Sequence, residues 1–298
     1  MTAAPGGTAA DAPRTLADAC RRLGDDPNLV PVAGGTDLMV SDRLERSAVA
    51  GVLDLTRIPE LTGVREVAGG LEIGAATPFA VLRSHPAVCR RFPALAAAAA
   101  VVGGWQIQSR ATLGGNLVNA SPAGDSLPVL LALEAVVVAA GPAGEREIPC
   151  AAFHVGYRKT ALVPGELVAR IRLPDPSPGS RQLFRKVGTR EAQAISKVVV
   201  AAVGRVGGEG REGGVVESLR LAAGSVAATP VRLRAAEAAA VGKPWSPETA
   251  RTRLAEEVGR AARGEVTPID DVRSTAVYRA ATLERVVRRL ILDLGSPE

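Results

Sequence analysis

The chain has 298 residues, with 36 Lys and Arg against 31 Asp and Glu, and 47% of its residues are hydrophobic but only 3% aromatic. This length suffices for two domains with substantial cores, which Ala, Val and Leu must fill because aromatic side chains are scarce. The scattered arginines and few aromatic residues argue against a nucleic-acid-binding surface, and the net charge of +5 is compatible with docking to acidic partner subunits.

The three cysteines and two histidines are widely separated in the sequence. Cys20, Cys89 and Cys150 form no Cys-x-x-Cys pair, so neither an iron–sulfur cluster nor a structural zinc site is indicated, and buried free thiols are expected. His85 and His154 stand alone, and no metal role is expected for either. No apolar run is long enough to span a bilayer, and the first residues do not resemble a signal peptide. We therefore expect a cytoplasmic protein.

The first half of the chain alternates short strands and helices. Residues 1–13 are small and rich in Pro and Gly, and they are predicted to form a disordered N-terminal tail. A first domain is expected over residues 14–173, in two parts of about 14–56 and 57–173. Its predicted helices are Thr15–Leu23, Leu38–Leu44, Phe79–Arg83, Phe92–Val102 and Ser126–Ala135, and its predicted strands are Asn28–Val32, Gly51–Leu55, Gly63–Val67, Leu71–Ala75, Val136–Ala140 and Glu145–Pro149.

The composition changes near residue 174. Residues 174–180 are rich in proline and are predicted to be a linker, and residues 181–292 are predicted to form a second domain. Strands followed by helices favour an α+β domain with helices on one face of an antiparallel sheet. Its predicted strands are Gln182–Val187, Ile195–Val206 and Val215–Ala222, and its predicted helices are Pro230–Ala240, Pro247–Arg263 and Thr275–Leu292.

Residues 208–213 fit the G-x-G-x-x-G pattern of dinucleotide-binding loops. That pattern is meaningful only between a strand and a helix, whereas the following segment reads as another strand. Glu209 and Glu212 would also repel phosphates. The segment is therefore predicted to be a hairpin turn.

Two glycine pairs are each followed at once by a small polar residue. The pair at 34 and 35 precedes Thr36, and the pair at 114 and 115 precedes Asn116. Glycine has no Cβ, so its N–H groups can approach a bulky anion, and it takes positive φ readily. Successive N–H groups presented in this way form an anion-binding nest. Two such loops, far apart in the sequence, indicate one extended ligand that contains a pyrophosphate.

These loops and several further segments resemble the FAD-binding medium subunits of the molybdenum hydroxylases, the family that includes xanthine dehydrogenase and carbon monoxide dehydrogenase. The resemblance spans about residues 14–292, with the motifs in the family order. The matching segments are Gly34-Gly35-Thr36-Asp37-Leu38, Thr112-Leu113-Gly114-Gly115-Asn116, Ala120-Ser121-Pro122 with Asp125, Gly156–Thr160, Phe184–Arg190 and Asp271–Arg279.

The resemblance implies an α+β fold in which a two-part FAD-binding domain of the vanillyl-alcohol-oxidase-like (PCMH) type precedes a C-terminal domain of antiparallel sheet and helices. The FAD is expected to be non-covalent, because the glycine motifs contain no Cys or His for attachment. The first loop and the Thr36 hydroxyl would hold the pyrophosphate, and Asn116 would donate from its amide on the other side. The implied FAD-binding residues are Val32, Ala33, Gly34, Gly35, Thr36, Asp37, Leu38, Thr112, Gly114, Gly115, Asn116, Ala120, Ser121, Asp125, Val168 and Lys186.

Three of these residues have specific expected roles. Asp125 would accept hydrogen bonds from the ribose or ribityl hydroxyls, and the alternative is that it caps the following helix. Lys186 would place positive charge near the flavin N1 and C2 carbonyl, and the alternative is a lysine on a solvated strand face. Val168, with the neighbouring Leu167, would supply apolar contacts to the flavin ring.

The C-terminal motif lies far from the glycine loops in the sequence. Arg273, Tyr278 and Arg279 are therefore expected to close the core of the C-terminal domain rather than to act in catalysis. No catalytic side chain is assigned, because FAD carries its own redox chemistry.

The resemblance implies an oxidoreductase subunit that accepts electrons from [2Fe–2S] clusters of a partner subunit and passes them to NAD or another acceptor. A large molybdopterin subunit would oxidise the substrate, so a heterotrimer is expected, alone or doubled by a two-fold axis. One alternative is a stand-alone FAD-dependent reductase of the same fold, for which no proton-donor or sugar-nucleotide motif is present. A second alternative is a flavin-free scaffold or nucleic-acid-binding module, which an absorbance spectrum would distinguish.

Overall fold

The structure, a computed structural model, describes residues 9–39, 51–208 and 214–295. Its strands are β1 Ala9–Asp11, β2 Leu29–Val32, β3 Gly51–Asp54, β4 Val64–Val67, β5 Gly70–Gly74, β6 Val136–Gly141, β7 Gly144–Pro149, β8 His154–Gly156, β9 Lys159–Thr160, β10 Leu167–Pro174, β11 Arg181–Val187, β12 Val198–Gly207, β13 Val215–Gly224 and β14 Val231–Arg232. Its helices are α1 Leu16–Asp25, α2 Phe79–Leu82, α3 Pro86–Arg91, α4 Pro93–Ala99, α5 Trp105–Gln108, α6 Leu113–Asn119, α7 Leu127–Ala132, α8 Cys150–Phe153, α9 Arg234–Ala240, α10 Glu248–Gly264 and α11 Ala276–Asp293.

A three-stranded parallel sheet in the order β1-β3-β2 forms the first part of the N-terminal domain. Helix α1 begins at its N-cap Thr15, whose hydroxyl accepts a hydrogen bond from the Asp18 N–H at 3.2 Å. Its buried face includes Ala19 and Leu23, which pack in one cluster with Leu53 of β3 and with residues of β6 and β10. The parallel sheet is thereby attached to the sheet that follows.

The predicted disordered tail is wrong for residues 9–11. These residues form β1, and Ala9, Ala10 and Asp11 pair in parallel with Gly51, Val52 and Leu53. The pairing partner lies 42 residues away in the chain, so the local composition of small residues could not reveal it. Residues 1–8, and most of the predicted helix Leu38–Leu44, lie outside the described residues.

A five-stranded antiparallel sheet in the order β4-β5-β10-β6-β7 forms the second part. Its central strand β10 was not predicted. Helices α2 to α7 lie in the chain between β5 and β6, and they bury Phe79, Phe92 and Leu95 in the largest cluster of core side chains. Charged side chains line the other face, where Arg170 and Arg172 share Glu72 and also pair with Glu145 and Glu147.

The C-terminal domain is a four-stranded antiparallel sheet, β11-β12-β13-β14, with helices α9, α10 and α11 on one face. The three helices end within one residue of their predicted C-terminal ends. The predicted start of helix Pro230–Ala240 is wrong, because β14 occupies Val231–Arg232 and the helix begins at Arg234. The predicted strand Ile195–Val206 begins later, at Val198. Residues 209–213 lie outside the described part, but β12 and β13 on either side are antiparallel partners, so the motif does not join a strand to a helix.

The two domains share a packed junction. Helix α7 of the first domain packs against β12 and β13, and Ala201, Val203 and Ala222 of these strands belong to the first domain's core cluster. The second face of the C-terminal sheet is thus covered by the first domain. This junction places the side chains of Lys186 in β11 and of Ser196, just before β12, beside the segment that follows the second glycine pair.

Cysteine burial differs from the expectation at one position. Cys20 and Cys150 are buried free thiols, whereas the free thiol of Cys89 is exposed. Burial raises the pKa of Cys150 to about 12, so that thiol stays protonated. In residues 9–39, 51–208 and 214–295, no helix has the length and apolarity needed to cross a membrane.

Candidate functional site

The first glycine loop follows β2 directly, and its backbone donors face no partner in the described part of the chain. Gly35 has φ of 72°, a left-handed conformation that glycine adopts without strain. The loop turns here, and the Gly35 carbonyl accepts a hydrogen bond from the Met39 N–H at 3.0 Å. The N–H groups of Gly34, Gly35 and Thr36 donate no hydrogen bond to any residue that the structure describes. The predicted binding of a pyrophosphate by these donors stays a prediction.

The second glycine pair lies in the first turn of α6 and differs from the predicted open nest. Thr112 is the N-cap of this helix, and its hydroxyl accepts a hydrogen bond from the Gly115 N–H at 3.1 Å. The Gly114 N–H donates to the Ala75 carbonyl at 2.8 Å, and the Asn116 N–H donates to the Thr112 carbonyl at 3.0 Å. The backbone donors of this segment are therefore already used within the protein.

The two glycines of this pair have different surroundings. A Cβ at Gly114 would lie 2.6 Å from the Ala75 Cβ and 2.7 Å from the Ala75 carbonyl oxygen, so this glycine permits α6 to pack against the end of β5. Gly115 is exposed, and it does not have a positive φ. The expected approach to a pyrophosphate is therefore open to Gly115, whereas Gly114 serves packing.

The two glycine segments adjoin one another in space. A Cβ at Gly34 would lie 1.8 Å from the Arg110 carbonyl oxygen, so the first loop rests on the chain just before Thr112. At the other end of α6, Asn119 Nδ2 donates to Asp37 Oδ1 at 3.1 Å. Arg158 reinforces this link, donating to Asn119 Oδ1 at 3.3 Å. The sequence prediction that both loops contribute to one site is consistent with these contacts.

Asn116 is oriented so that its amide nitrogen remains available. Its Oδ1 accepts a hydrogen bond from Ser126 Oγ at 2.7 Å, and among the described residues its Nδ2 has no partner. Ala120 ends α6 in the left-handed conformation with φ of 50°, and the Ser121 hydroxyl accepts from the Ala123 N–H at 3.3 Å. These contacts fix the turn between the second glycine pair and Asp125.

Asp125 and Lys186, predicted separately as flavin contacts, bind each other. Lys186 Nζ donates to Asp125 Oδ2 at 2.6 Å and to the Val101 carbonyl at 2.8 Å, and Ser196 Oγ donates to Asp125 Oδ1 at 2.5 Å. The Lys186 side chain is only 10% exposed, so the alternative of a solvated strand face is wrong. The N-cap of α7 is Ser126, and it makes no side-chain capping bond, so Asp125 does not cap that helix.

Burial and ion pairing shift the pKa of Asp125 in opposite directions. Burial raises the pKa of the Asp125 carboxyl, and the Lys186 ammonium and the Ser196 hydroxyl oppose that shift. A carboxylate has about four lone-pair directions, so Asp125 retains acceptor capacity beyond these two partners. Its predicted interaction with ribose or ribityl hydroxyls stays a prediction.

Val168 lies in the central strand β10, and it is 6% exposed among the residues of the first core cluster. Its predicted contact with the flavin ring stays a prediction, and in this structure its surroundings are those of a core residue. Four residues that contact the predicted site were not predicted from the sequence: Asn119, Ser126, Arg158 and Ser196. Two of these, Asn119 and Arg158, stand inside or beside the quoted motifs, whereas Ser196 offers no signal without its tertiary contact with Asp125.

His154 lies against the same helix. Its Nε2 donates to the Leu117 carbonyl at 3.0 Å, and its Nδ1 is buried with no hydrogen-bond partner in the described chain. Burial lowers the pKa of His154 and the hydrogen bond to Leu117 opposes this shift. The described residues contain no group of three or more His, Cys, Asp or Glu side chains that could hold a metal ion.

Two adjoining glycine segments in the first of two α+β domains are suited to bind an extended ligand that contains a pyrophosphate. The family described as "FAD binding domain in molybdopterin dehydrogenase" matches residues 9–176, and that described as "CO dehydrogenase flavoprotein C-terminal domain" matches residues 183–294. The chain belongs to the FAD-binding medium subunits of the molybdenum hydroxylase family, and it has the two-domain fold that the sequence resemblance implied.

Relatives match along almost the whole chain. The xanthine dehydrogenase FAD-binding subunit of Escherichia coli O157:H7 is 32% identical over 281 residues, covering 94% of this chain and 93% of that protein. The carbon monoxide dehydrogenase medium chain of Hydrogenophaga pseudoflava is 30% identical, covering 94% of both chains. A solved structure of carbon monoxide dehydrogenase from Hydrogenophaga pseudoflava superposes with a TM-score of 0.87, with 31% identity and 96% coverage of both chains.

Proposed function

We propose that this chain binds FAD non-covalently and transfers electrons within a molybdenum hydroxylase complex. The observation that carries the proposal is the first glycine loop in a member of this family. Its N–H groups have no partner among the described residues, and the loop rests on the chain just before α6, where Gly115 is exposed. A pyrophosphate needs several donors that converge from a surface without side chains, and the N–H groups of the first glycine loop would supply them.

Particular residues are suited to hold FAD. The N–H groups of Gly34, Gly35 and Thr36, with the Thr36 hydroxyl, would bind the pyrophosphate. The Asn116 amide nitrogen, which lacks a protein partner among the described residues, would donate from the adjoining segment, beside the exposed surface of Gly115. The remaining predicted residues of both segments would line the same site, namely Val32, Ala33, Asp37, Leu38, Thr112, Gly114, Ala120 and Ser121.

The polar cluster at the domain junction would act on the flavin electrostatically. Bound FAD would supply the redox chemistry, and the protein would supply binding, orientation and charge. The Asp125–Lys186 pair is nearly buried, so its charges act in a medium of lower effective dielectric than water. Lys186 is thereby fixed in position by two hydrogen bonds rather than free to move with solvent.

The proposed partners follow from the relatives, several of which are named as medium chains or medium subunits. We propose an iron–sulfur subunit with [2Fe–2S] clusters as electron donor and a large molybdopterin subunit as the site of substrate oxidation. The proposed assembly is a heterotrimer, or its two-fold dimer, located in the cytoplasm. The proposed electron acceptor is NAD or another acceptor.

The test begins with absorbance and mass spectrometry of the purified full chain. We expect flavin bands that leave the protein after denaturation and filtration, with the mass of FAD in the filtrate and an unmodified protein mass. A protein that takes up no FAD, or that carries a covalent flavin, would contradict the binding proposal.

A second measurement tests the electron-transfer role. Co-purification from the native host should recover an iron–sulfur chain and a large molybdenum-containing chain. The isolated subunit should not oxidise purines, aldehydes or carbon monoxide. Substrate turnover by the single chain, without molybdenum or iron, would favour a stand-alone flavoenzyme.

A further inference from the structure

A buried arginine in the last helix connects the C-terminal motif to the candidate site. Arg279 lies in the first turn of α11 and is 4% exposed. Its Nη1 donates to the carbonyls of Lys197 at 3.0 Å and Ser225 at 2.9 Å, and its Nη2 donates to Asp271 Oδ1 at 2.8 Å. Lys197 immediately precedes β12 and Ser225 immediately follows β13, so one guanidinium joins the ends of two strands.

Asp271 holds the guanidinium in this orientation. Its Oδ1 also accepts hydrogen bonds from the N–H groups of Arg273 at 2.8 Å and Ser274 at 3.0 Å. Burial raises the pKa of Asp271, but the hydrogen bonds from Arg273, Arg279 and Ser274 together lower it below its ordinary value. The carboxylate is therefore ionised at neutral pH, and it is itself fixed by the turn that carries it.

The two joined strand ends continue directly to the site. Ser225 Oγ donates to the Ser196 carbonyl at 2.8 Å, and the Ser225 N–H donates to the Pro122 carbonyl at 2.8 Å. Ser196 Oγ in turn donates to Asp125 Oδ1 at 2.5 Å. Ser225 has φ of 64°, which a non-glycine residue adopts only where its surroundings hold it.

A role in core packing alone does not account for this arrangement. The guanidinium Nε of Arg279 is buried with no hydrogen-bond partner in the part of the chain that the structure describes. An apolar side chain would fill the same space without that unsatisfied donor. Two of the three hydrogen bonds that Arg279 makes are directed at the segments that hold Ser196 and Ser225, and the third is to Asp271.

We propose that Arg279 is a positioning residue for the flavin site, acting through Lys197, Ser225 and Ser196 to set the place of Asp125. The inference rests on the proposed function, since Asp125 matters in this way only if FAD binds beside it. Arg279 itself touches neither glycine segment.

The test compares Arg279→Gln with a matched variant, Arg232→Gln, in the full-length protein titrated with FAD. Arg232 is also buried in the C-terminal domain and pairs with Glu237 at 2.7 Å. It likewise reaches the first domain, through the Leu131 carbonyl at 3.3 Å. It makes no hydrogen bond to Asp125, Ser196 or Ser225 within the described residues, so it controls for the loss of a buried arginine.

Three quantities are measured: the thermal midpoint, the FAD dissociation constant and the midpoint potential of the bound flavin. We expect Arg279→Gln to weaken FAD binding about tenfold more than Arg232→Gln does. The reason is that the Ser196 hydroxyl, which donates to Asp125, is then no longer held in place. Only Arg279→Gln should shift the flavin potential. Arg279→Lys, which keeps a cation beside the same carbonyls, should restore most of the wild-type potential.

Equal effects of Arg279→Gln and Arg232→Gln on FAD affinity and on the flavin potential would overturn the inference. If Arg279→Gln does not fold, Ser225→Ala is tested instead. This variant removes only the hydroxyl that donates to the Ser196 carbonyl, and it should shift the midpoint potential of the flavin. An unchanged potential in Ser225→Ala would then overturn the inference. Wild-type protein with no FAD affinity would overturn the proposed function as well, so the two failures are distinguishable.

Discussion

Lys186 Nζ lies 2.6 Å from Asp125 Oδ2, and this ion pair joins β11 of the C-terminal domain to the segment between the second glycine pair and α7. Both side chains are nearly buried, at 10% and 9% exposure. Desolvation of two charges offsets much of their attraction, so the pair itself contributes little net stability. Removal of one partner has a different consequence, because the other charge is left buried without compensation.

Lys186→Met should therefore destabilise the protein strongly, by about 3–5 kcal/mol of unfolding free energy. The double variant Asp125→Asn/Lys186→Met should lose less than Lys186→Met alone, because it leaves no buried charge. Urea denaturation of the three proteins measures these differences. Arg21→Met, which removes an exposed partner of Asp25, serves as a control and should cost less than about 1 kcal/mol. If Lys186→Met lost less unfolding free energy than Arg21→Met, that result would contradict a buried ion pair at Asp125.

Local patterns predicted the architecture and most elements of this protein. The alanine-rich run after Phe92 and the last two helices are helical where predicted, because burial of one helix face is visible in the sequence. Strand β10 was missed, and its register with β5 and β6 depends on partners that lie far away in the chain. Strand β1 was missed for the same reason.

The predicted site residues stay a prediction, and the structure shows which contacts the sequence could not reveal. In the first glycine loop the N–H groups have no partner among the described residues, whereas the N–H groups of the second pair are taken by a helix start and by Ala75. The sequence identified both Asp125 and Lys186 but not their pairing, which exists only because the two domains pack together. Ser196 belongs to that same junction, so no local pattern could assign it a role. Arg279 was expected only to close the C-terminal core, and its connection to Ser196 through Ser225 depends on tertiary contacts.

Gly114→Ala and Gly115→Val should separate folding from FAD binding at adjacent positions. A Cβ at Gly114 meets the Ala75 backbone, so Gly114→Ala should destabilise the domain by about 1–3 kcal/mol. Gly115 is exposed, and a Cβ there would meet only one atom among the described residues, Thr112 Oγ1 at 2.9 Å. Gly115→Val should therefore keep most of the fold while FAD is lost. Thermal denaturation and flavin absorbance of both variants measure this. Wild-type flavin content in folded Gly115→Val would show that this surface does not face the cofactor.

Gly34→Ala should separate the first loop from the segment before Thr112. Its Cβ would lie 1.8 Å from the Arg110 carbonyl oxygen, a distance that no rotamer change can relieve because the neighbouring atom belongs to the backbone. We expect FAD affinity to fall by at least about tenfold, measured by fluorescence titration. Gly264→Ala, at the end of α10 with no atom within 4 Å of the added Cβ, is the matched control and should bind FAD normally. Similar affinities for the two variants would mean that the contact between the loops is dispensable.

His154 should make the protein less stable in mild acid. Burial lowers its pKa, and a protonated Nδ1 would find no hydrogen-bond acceptor among the described residues. Below about pH 6.5 the unfolded chain therefore binds a proton that the folded protein does not, and stability falls with decreasing pH down to the lowered folded-state pKa. The loss is at most about 1.4 kcal/mol for each pH unit.

His154→Gln removes this titration while retaining an N–H group that can reach the Leu117 carbonyl. The difference in unfolding free energy between about pH 7.5 and about pH 5.5 should therefore be smaller in His154→Gln than in the wild type. Urea denaturation at the two pH values measures it, and comparing pH differences within each protein cancels any constant cost of the substitution. Because Leu117 lies in α6, the same acidification should weaken FAD retention in the wild type more than in the variant. An equal pH dependence in both proteins would show that His154 is not the group that titrates.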